Sequence, residues 1–241
     1  MLRKAGDLFA HFNDELRETR LSANRSQPIG AGSYGVVYQS DVPGNVIKQK
    51  TQWDGLSSSF TKEANLQDIA AQMGIAPEVR GVETFIGGVG DRIEMQDVRP
   101  NYEPVKGEGD RFGQIGVGLP VDPMINLRTM QQVGQLALKG VRLEDRRAAN
   151  IMQHKMTGRP MQLDFGIAGK VEGSEQAATL AMATAEGFEA AGLGDFGSIL
   201  RATVMDYLEG GDVDKAMDLA KQGFSRLQKI KTPLKEVVSL Y

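Results

Sequence analysis

The alternation of hydrophobic and polar positions divides the chain into a strand-rich first part and a helical second part. Residues 28–50 have the pattern of three strands separated by glycine-containing turns, since apolar and polar side chains alternate there. Apolar positions at helical spacing then predict a helix from residue 57 to about residue 73. Two more strands are predicted at residues 79–86 and 92–98. Five strands and one helix would form a small α+β unit.

Helical spacing dominates the chain beyond residue 123. Asp195 lies just before one of the apolar stripes and is predicted to be the N-cap of that helix. Residues 100–123 are rich in glycine and proline and have little periodicity, so we expect a long irregular connection there. The predicted helices cover residues 124–139, 177–191, 198–208 and 215–227.

An amphipathic pattern also covers the first 20 residues, where five apolar side chains fall on one stripe of a helix. The simpler interpretation is a helix packed on the body of the protein. The alternative is a docking arm for a partner in an assembly.

One stretch, residues 140–168, concentrates the polar side chains that could carry chemistry. Its apolar pattern predicts a hairpin, with strands at residues 150–156 and 159–163 joined by a Thr-Gly turn. A hairpin of this kind returns the chain to the loop from which it started. Polar residues at its two ends are therefore expected to meet in space.

Three oxygen-bearing side chains lie at the ends of this hairpin. Asp145 comes before the first strand, Asn150 begins it, and Asp164 follows the second. Carboxylate and amide oxygens grouped in this way suit a hard cation such as Mg²⁺, which retains waters and binds phosphates.

Length, charge and cysteine content restrict the function only moderately. With 241 residues the chain is long enough for one large domain or two small lobes. A net charge of -3 gives no reason to expect nucleic acid or an anionic membrane as partner. The lack of cysteine excludes disulfides and thiolate chemistry. No run approaches the ~18 apolar residues that a membrane span needs.

The motifs follow one another in an order that resembles the protein kinase superfamily. Asp145 and Asn150 have the spacing of the family's catalytic-loop residues, and Asp164 opens an Asp-Phe-Gly. Residues 29–38, Ile-Gly-Ala-Gly-Ser-Tyr-Gly-Val-Val-Tyr, resemble the family's glycine-rich loop, because a strand and not a helix follows the last glycine. Lys48 ends the next strand, as the family's phosphate-binding lysine does. The resemblance implies a bilobal α+β fold, with an N-lobe of about five antiparallel strands plus one helix and a mainly helical C-lobe.

Glu63 lies one turn before Leu66, on the apolar face of the predicted helix. An unpaired carboxylate on that face would be costly, so Glu63 needs a cation, and Lys48 is the natural candidate. The resemblance implies this pair, since in kinases a Lys–Glu ion pair orients the lysine toward the α- and β-phosphates.

The resemblance also implies roles for individual residues. Asp145 would accept or orient the proton of the acceptor hydroxyl, and Arg147, in place of the family's lysine, would reach the γ-phosphate. Asn150 and Asp164 would hold Mg²⁺. Lys48 would serve both catalysis and nucleotide binding. The residues implied to bind ATP are Gly30, Gly32, Gly35, Val37, Lys48, Glu63 and Met95, the last of them at the hinge.

Two departures from the family's pattern limit what the resemblance implies. Leu143-Glu144-Asp145 stands where the family has His-Arg-Asp, and the arginine that binds a phosphorylated activation loop is lost. No Ala-Pro-Glu follows Asp164, and the predicted large lobe is short. Protein as the substrate is therefore less firmly implied than phosphoryl transfer.

Three functions remain open. The first is an ATP- and Mg²⁺-dependent phosphotransferase, most simply a compact Ser/Thr protein kinase. The second is a kinase-shaped structural or assembly protein with little or no activity, for example a virion component. The third is a small-molecule kinase of the aminoglycoside-phosphotransferase type. The acceptor would be a hydroxyl of a protein or of a small molecule, and neither nucleic acid nor a membrane is expected as a partner.

The resemblance divides the chain into three parts. These are an N-terminal helical extension at residues 1–26, an N-lobe at residues 27–98 and a reduced C-lobe at residues 99–241. A bacterial or phage origin fits so compact a chain. We expect a cytoplasmic location, or a place in the virion if the origin is a phage.

Overall fold

The structure, a computed structural model, describes residues 28–32, 35–50, 60–84, 91–107 and 119–234. The helix predicted over the first 20 residues and the helix start predicted at residues 57–59 lie outside these ranges. The chain divides into two compact units. Among the described residues, unit 1 lies within residues 28–60 and 79–97, and unit 2 within residues 61–78 and 98–234.

Unit 1 contains one antiparallel sheet of five strands in the order β1-β2-β3-β5-β4. Apolar and polar residues alternate along β3 and β5, so each strand buries one face and exposes the other. The five strands that the sequence predicts are confirmed. Their bounds are β1 (Gly30–Gly32), β2 (Gly35–Gln39), β3 (Asn45–Gln49), β4 (Val79–Glu83) and β5 (Arg92–Gln96).

The turn between β2 and β3 is fixed by local hydrogen bonds. Gly44 has a φ of +82°, a conformation that glycine adopts at little cost, and the Asn45 N–H donates to the Val42 carbonyl over 3.1 Å. The Glu94 carboxylate on β5 accepts from Ser40 Oγ over 2.7 Å and from Asn45 Nδ2 over 3.0 Å. The turn is thereby tied to β5, and β3 is held in register.

Helix α1 (Phe60–Gln72) follows the expected pattern and belongs to unit 2 from Thr61 onward. Leu66 and Ala70 are buried in a cluster of unit 2, and Gly74, with a φ of +66°, follows the end of the helix. Gln67 is fully buried and its Nε2 donates to the Pro77 carbonyl over 3.0 Å.

Four further helices form most of unit 2, which confirms the helical second part. Leu127, Leu180 and Phe224 belong to one buried cluster among these helices. Asp122 caps the first of them, since its carboxylate accepts from the Met124 N–H over 2.8 Å. The four are α2 (Pro123–Leu138), α3 (Gly173–Ala190), α4 (Gly194–Glu209) and α5 (Val213–Leu227).

The prediction for Asp195 is wrong. Helix α4 begins at Gly194, so Asp195 lies inside its first turn, and Leu193 occupies the N-cap position without a side-chain hydrogen bond. A Cβ on Gly197 would lie 2.6 Å from the Ala185 carbonyl oxygen. Helix α4 therefore begins without a capping side chain and packs closely against α3 at Gly197.

Three short strands form a second sheet in unit 2, in the order β6-β8-β9. The predicted hairpin is confirmed as β8 (Ile151–His154) and β9 (Pro160–Gln162), joined by a turn in which Gly158 has a φ of +61°. Strand β6 (Tyr102–Pro104) pairs with β8. Residues 100–123 are therefore not wholly irregular, and the prediction is wrong at this point.

The described residues also form a two-stranded ladder. Strand β7 (Val141–Arg142), which precedes Asp145, pairs with β10 (Gly169–Lys170), which follows Asp164. No helix in the described ranges is long and apolar enough to cross a membrane.

Candidate active site

The hairpin brings the two ends of the predicted metal-binding set together within unit 2. The 3₁₀ turn Ala148–Asn150 leads directly into β8. At the other end of the hairpin the Leu163 N–H donates to the Asn150 carbonyl over 2.8 Å. Asp164 is the next residue, so the backbones of Asn150 and Asp164 lie side by side, as the hairpin prediction required.

Asp145 joins this group through Asn150 and is held by Arg147. The Asn150 Nδ2 lies 3.5 Å from the Asp145 carbonyl oxygen, a long contact. The Arg147 Nε donates to Asp145 Oδ1 over 2.7 Å, and its Nη2 donates to Oδ2 over 2.6 Å. This two-point geometry is the strongest form of an Arg–carboxylate pair.

These contacts change the titration of Asp145. The hydrogen bonds and positive charge of Arg147 lower the pKa of the Asp145 carboxyl below its ordinary value of 3.8, with a smaller contribution from Asn150. Partial burial opposes this shift but does not reverse it. Asp145 is therefore ionised at neutral pH.

The Asp-Phe-Gly motif is anchored by its phenylalanine. Phe165 is fully buried in a cluster of unit 2 that also contains Leu143. Asp164 Oδ1 accepts from the Gly166 N–H over 3.0 Å, which bends the chain directly after the carboxylate. Leu143, at the position of the family's histidine, therefore contributes apolar packing next to the motif.

The other departures from the family's pattern also have structural partners. Glu144, at the position of the family's arginine, lies 2.7 Å from Arg142 Nε, and Arg142 also pairs with Glu175 near the start of α3. Six residues, 167–172, separate Gly166 from α3. So short a connection leaves no room for a long activation loop.

In unit 1, the register of the sheet places six of the predicted ATP-binding residues on one face. Gly30 pairs with Val37 and Gly32 with Gly35, Val37 pairs with Lys48, and Val46, two residues before Lys48, pairs with Met95. Directly paired residues and residues two apart on a strand point to the same side. The six are Gly30, Gly32, Gly35, Val37, Lys48 and Met95.

Lys48 is buried, unlike most lysines on a strand. Lys48 is only 8% exposed, and it pairs across the sheet with the fully buried Ile93 on β5. The Lys48 Nζ lies 5.7 Å from the centroid of the Phe60 ring. A buried ammonium group needs favourable partners, and this residue is therefore held in a specific environment.

Glu63, the seventh predicted nucleotide-binding residue, lies in unit 2 and is 1% exposed. The prediction that it lies on the inward face of α1 is confirmed. Its proposed ion pair with Lys48 would join the two units and stays a prediction.

The donor set at the hairpin suits Mg²⁺ better than a metal that needs many protein ligands. Among the described residues no group of three or more His, Asp or Glu side chains could enclose a metal ion. Asn150 directs its Nδ2 toward a carbonyl, which leaves Oδ1 as the acceptor atom of this amide. The Asp164 carboxylate and the Asn150 amide oxygen would leave the other coordination positions to waters and phosphate oxygens. Mg²⁺ typically has such a ligand set in nucleotide-binding sites.

Sequence reasoning missed the ion pairs that surround Asp145. Arg146 pairs with Glu186 on α3, and Arg147 pairs with Asp145 itself. The only signal in the sequence was the run of Glu-Asp-Arg-Arg at residues 144–147, which does not show which charges meet.

No protein-family model matches the chain, and no curated protein sequence matches it. Among solved structures, three crystal structures of the Mycobacterium tuberculosis PknI kinase domain, two of them of mutants, are similar to it. The identity is 19%, the TM-scores are 0.43, 0.43 and 0.44, and the match covers 68–69% of this chain and 71–72% of the kinase-domain chains.

The order of elements in the described chain is the one expected from the sequence. A five-stranded antiparallel sheet comes first, and helices with the Asn150–Asp164 hairpin follow. The predicted α+β class is confirmed.

Proposed function

We propose that this chain is an ATP- and Mg²⁺-dependent phosphotransferase that acts on a hydroxyl acceptor. The observation that supports this most strongly is the grouping of Asp145, Asn150 and Asp164 in unit 2 through the Leu163–Asn150 and Asn150–Asp145 contacts. The shared face of the six nucleotide-binding residues in unit 1 is a second, separate support.

Each residue has a role that follows from its charge and position. Asp145 orients the acceptor hydroxyl and takes its proton as the hydroxyl oxygen bonds to the γ-phosphorus. The bond between the γ-phosphorus and the β–γ bridging oxygen breaks, and ADP leaves. Arg147 and Lys48 offset the negative charge of the phosphates.

Asn150 and Asp164 would hold the Mg²⁺ ion. When bound, the metal neutralises phosphate charge and orients the phosphate oxygens. Phosphoryl transfer depends mostly on positioning and on charge neutralisation, so these residues suffice for the chemistry.

The acceptor is proposed to be a Ser or Thr hydroxyl of a protein. The glycine-rich hairpin β1–β2 and the Asp-Phe-Gly-Ile-Ala sequence favour this acceptor, whereas the six-residue connection before α3 favours a small molecule. Protein and small-molecule acceptors should therefore both be tested in the first experiment.

A second candidate function is a nucleotide-binding or assembly protein without turnover. The observation that favours it is that Arg147 engages both oxygens of Asp145, which leaves this carboxylate occupied. Turnover separates this function from a phosphotransferase, and nucleotide binding alone does not.

The test is transfer of labelled phosphate from ATP in the presence of Mg²⁺, with generic protein substrates and with small-molecule hydroxyl acceptors. We expect Asp145→Asn to reduce transfer by about 10²- to 10⁴-fold while Mg²⁺-dependent nucleotide binding is kept. Asp164→Asn should weaken that binding as well. Asp206→Asn, an exposed carboxylate on α4, is the matched control.

Two outcomes would contradict the proposal. An active wild type with unimpaired Asp145→Asn and Asp164→Asn variants would remove the residue roles. A wild type that binds Mg²⁺ and ATP but transfers phosphate to no acceptor would favour the assembly function.

A further inference from the structure

Unit 2 has a cleft whose lining does not include Asp145, Asn150 or Asp164. It lies between α2 and the β8–β9 hairpin and has a volume of about 600 Å³. Tyr102 from β6, Arg128 and Gln135 from α2, and His154 and Arg159 from the hairpin line it. A volume of this size suits a ligand much larger than a single ion.

The cleft is positively charged and contains no carboxylate among its lining residues. The Arg128 Nη1 donates to the Thr157 carbonyl over 2.8 Å, and the Arg159 Nη2 donates to the Met73 carbonyl over 3.2 Å. Neither guanidinium forms an ion pair with a carboxylate of the described residues. Each is thus held in place by a backbone carbonyl, with most of its five N–H groups left for a ligand.

The remaining lining is polar but uncharged. The Gln131 Nε2 donates to the Leu227 and Ile230 carbonyls over 2.9 and 3.0 Å, and the Gln132 Nε2 donates to the Pro160 carbonyl over 2.7 Å. The Gln132 Oε1 also accepts from the Gln162 Nε2 over 3.1 Å, so Gln131 and Gln132 brace the wall of the cleft. Gln135 is the lining amide that can bond the N–H and C=O groups of a peptide backbone.

An aromatic pair forms another part of the wall. The Tyr102 and His154 rings meet edge to face, with their centroids 5.0 Å apart. Such a pair gives a rigid apolar contact for an aliphatic stem. A phosphate or another small anion would contact the arginines but leave the Gln135 amide, the rings and most of the volume without a partner.

We propose that this cleft binds an acidic peptide segment of a partner protein, with its carboxylates on Arg128 and Arg159 and its backbone on the Gln135 amide. The complementarity of charge and of hydrogen-bonding groups supports this occupant. The proposal goes beyond phosphoryl transfer and does not depend on it, because it concerns binding alone.

The test is fluorescence anisotropy with a labelled hexapeptide of Glu and Asp, together with a Gln and Asn peptide of the same length. We expect saturable binding of the acidic peptide, at least about tenfold tighter than that of the neutral peptide, and a loss of affinity as salt is added. An Arg128→Gln, Arg159→Gln double variant should bind at least about tenfold more weakly. Arg201→Gln, an exposed arginine on α4, is the matched control and should not change the affinity.

A second variant keeps the proposal testable if the double variant does not fold. Gln135→Glu adds a carboxylate to the cleft and removes no hydrogen bond of the described residues, so we expect about three- to tenfold weaker peptide binding. Thermal unfolding of each variant shows whether it is folded.

Three results would overturn the proposal. The first is no saturable binding of the acidic peptide up to ~1 mM. The second is equal binding by the wild type, the double variant and Gln135→Glu. The third is binding of inorganic pyrophosphate that depends on both arginines while the peptide does not bind, which would make the cleft a small-anion site.

Discussion

Arg147 holds both carboxylate oxygens of Asp145, with Nε–Oδ1 and Nη2–Oδ2 distances of 2.7 and 2.6 Å. The Asp145 side chain is 13% exposed and that of Arg147 is 52% exposed, so the pair lies at the edge of the protein with its cation outward. A γ-phosphate would offer the guanidinium a second anionic partner. In the proposed reaction, arrival of the nucleotide would therefore draw Arg147 away and leave Asp145 able to accept a proton.

Removal of this pair should change the titration of Asp145. Arg147→Gln takes away the hydrogen bonds and the charge that lower the pKa of Asp145, so this pKa should return toward its ordinary value of 3.8. The measurement is a ¹³C NMR titration of the Asp145 carboxyl in both proteins. Titration at the same pH in both would show that Arg147 does not hold Asp145 in solution.

The same pair gives a pH dependence of stability with a definite sign. Because the pKa of Asp145 is lowered in the folded protein, the stabilisation is present above pH 3.8 and is lost as the pH falls through the folded-state pKa. At neutral pH, Arg147→Gln should therefore be less stable by about 0.5–1 kcal/mol, since Arg147 is half exposed. Below the folded-state pKa the difference should vanish, whereas the control Arg201→Gln should show none at either pH.

The close approach of Gly35 to the backbone of Gln49 can be tested by substitution. A Cβ at Gly35 would lie 2.6 Å from the Gln49 carbonyl oxygen, and backbone cannot move aside as a flexible side chain can. We expect Gly35→Ala to reduce the free energy of unfolding by about 1–3 kcal/mol through overpacking. The measurement is denaturant unfolding followed by a probe in the sheet.

Gly30→Ala is the matched control in the same hairpin. A Cβ at Gly30 would meet only the Val37 Cβ, at an ordinary 3.9 Å. Stability should therefore change little. Equal losses in the two variants would mean that the close approach of β2 to Gln49 is not what requires glycine at residue 35.

Local patterns were sufficient to predict the features that depend on neighbouring residues. The β8–β9 hairpin follows from alternation and a turn glycine, and it alone places Asn150 beside Asp164. The inward position of Glu63 follows from the helical period. In each case the information lies within about 15 residues of the chain.

Features that depend on distant partners could not be predicted in this way. Strand β6 is three residues long, contains Pro104 and pairs with β8 some 50 residues later, so its own sequence carries little strand signal. Arg147 follows two carboxylates in sequence, Glu144 and Asp145. Its choice of Asp145 depends on side-chain geometry that a charge pattern does not contain.

Glycines also determine how closely the helices of unit 2 pack. A Cβ at Gly134 on α2 would lie 2.1 Å from Phe224 Cε2 on α5, and one at Gly223 would lie 2.4 Å from Leu200 Cδ2 on α4. Phe224 is 1% exposed and Leu200 is also buried, so neither side chain has space to withdraw. These glycines allow the large side chains of the neighbouring helix to lie directly against the helix backbone.

Gly134→Ala should therefore destabilise unit 2 although alanine is the better helix former. The gain in helix propensity is about 1 kcal/mol, whereas the overlap with a buried ring forces a shift that costs about 1–3 kcal/mol or more. Because 2.1 Å is far below any normal contact, we expect the net effect to be a loss, seen as a Tm lowered by about 2–4 °C per kcal/mol. Gly194→Ala, where the nearest atom would be 3.9 Å away, should show no such loss.

A double-mutant cycle tests the contact between Gly134 and Phe224 directly. Phe224→Leu should reduce stability in the wild-type background, and it should reduce stability less in the Gly134→Ala background. Additive effects would show that Gly134 and Phe224 do not contact each other in solution.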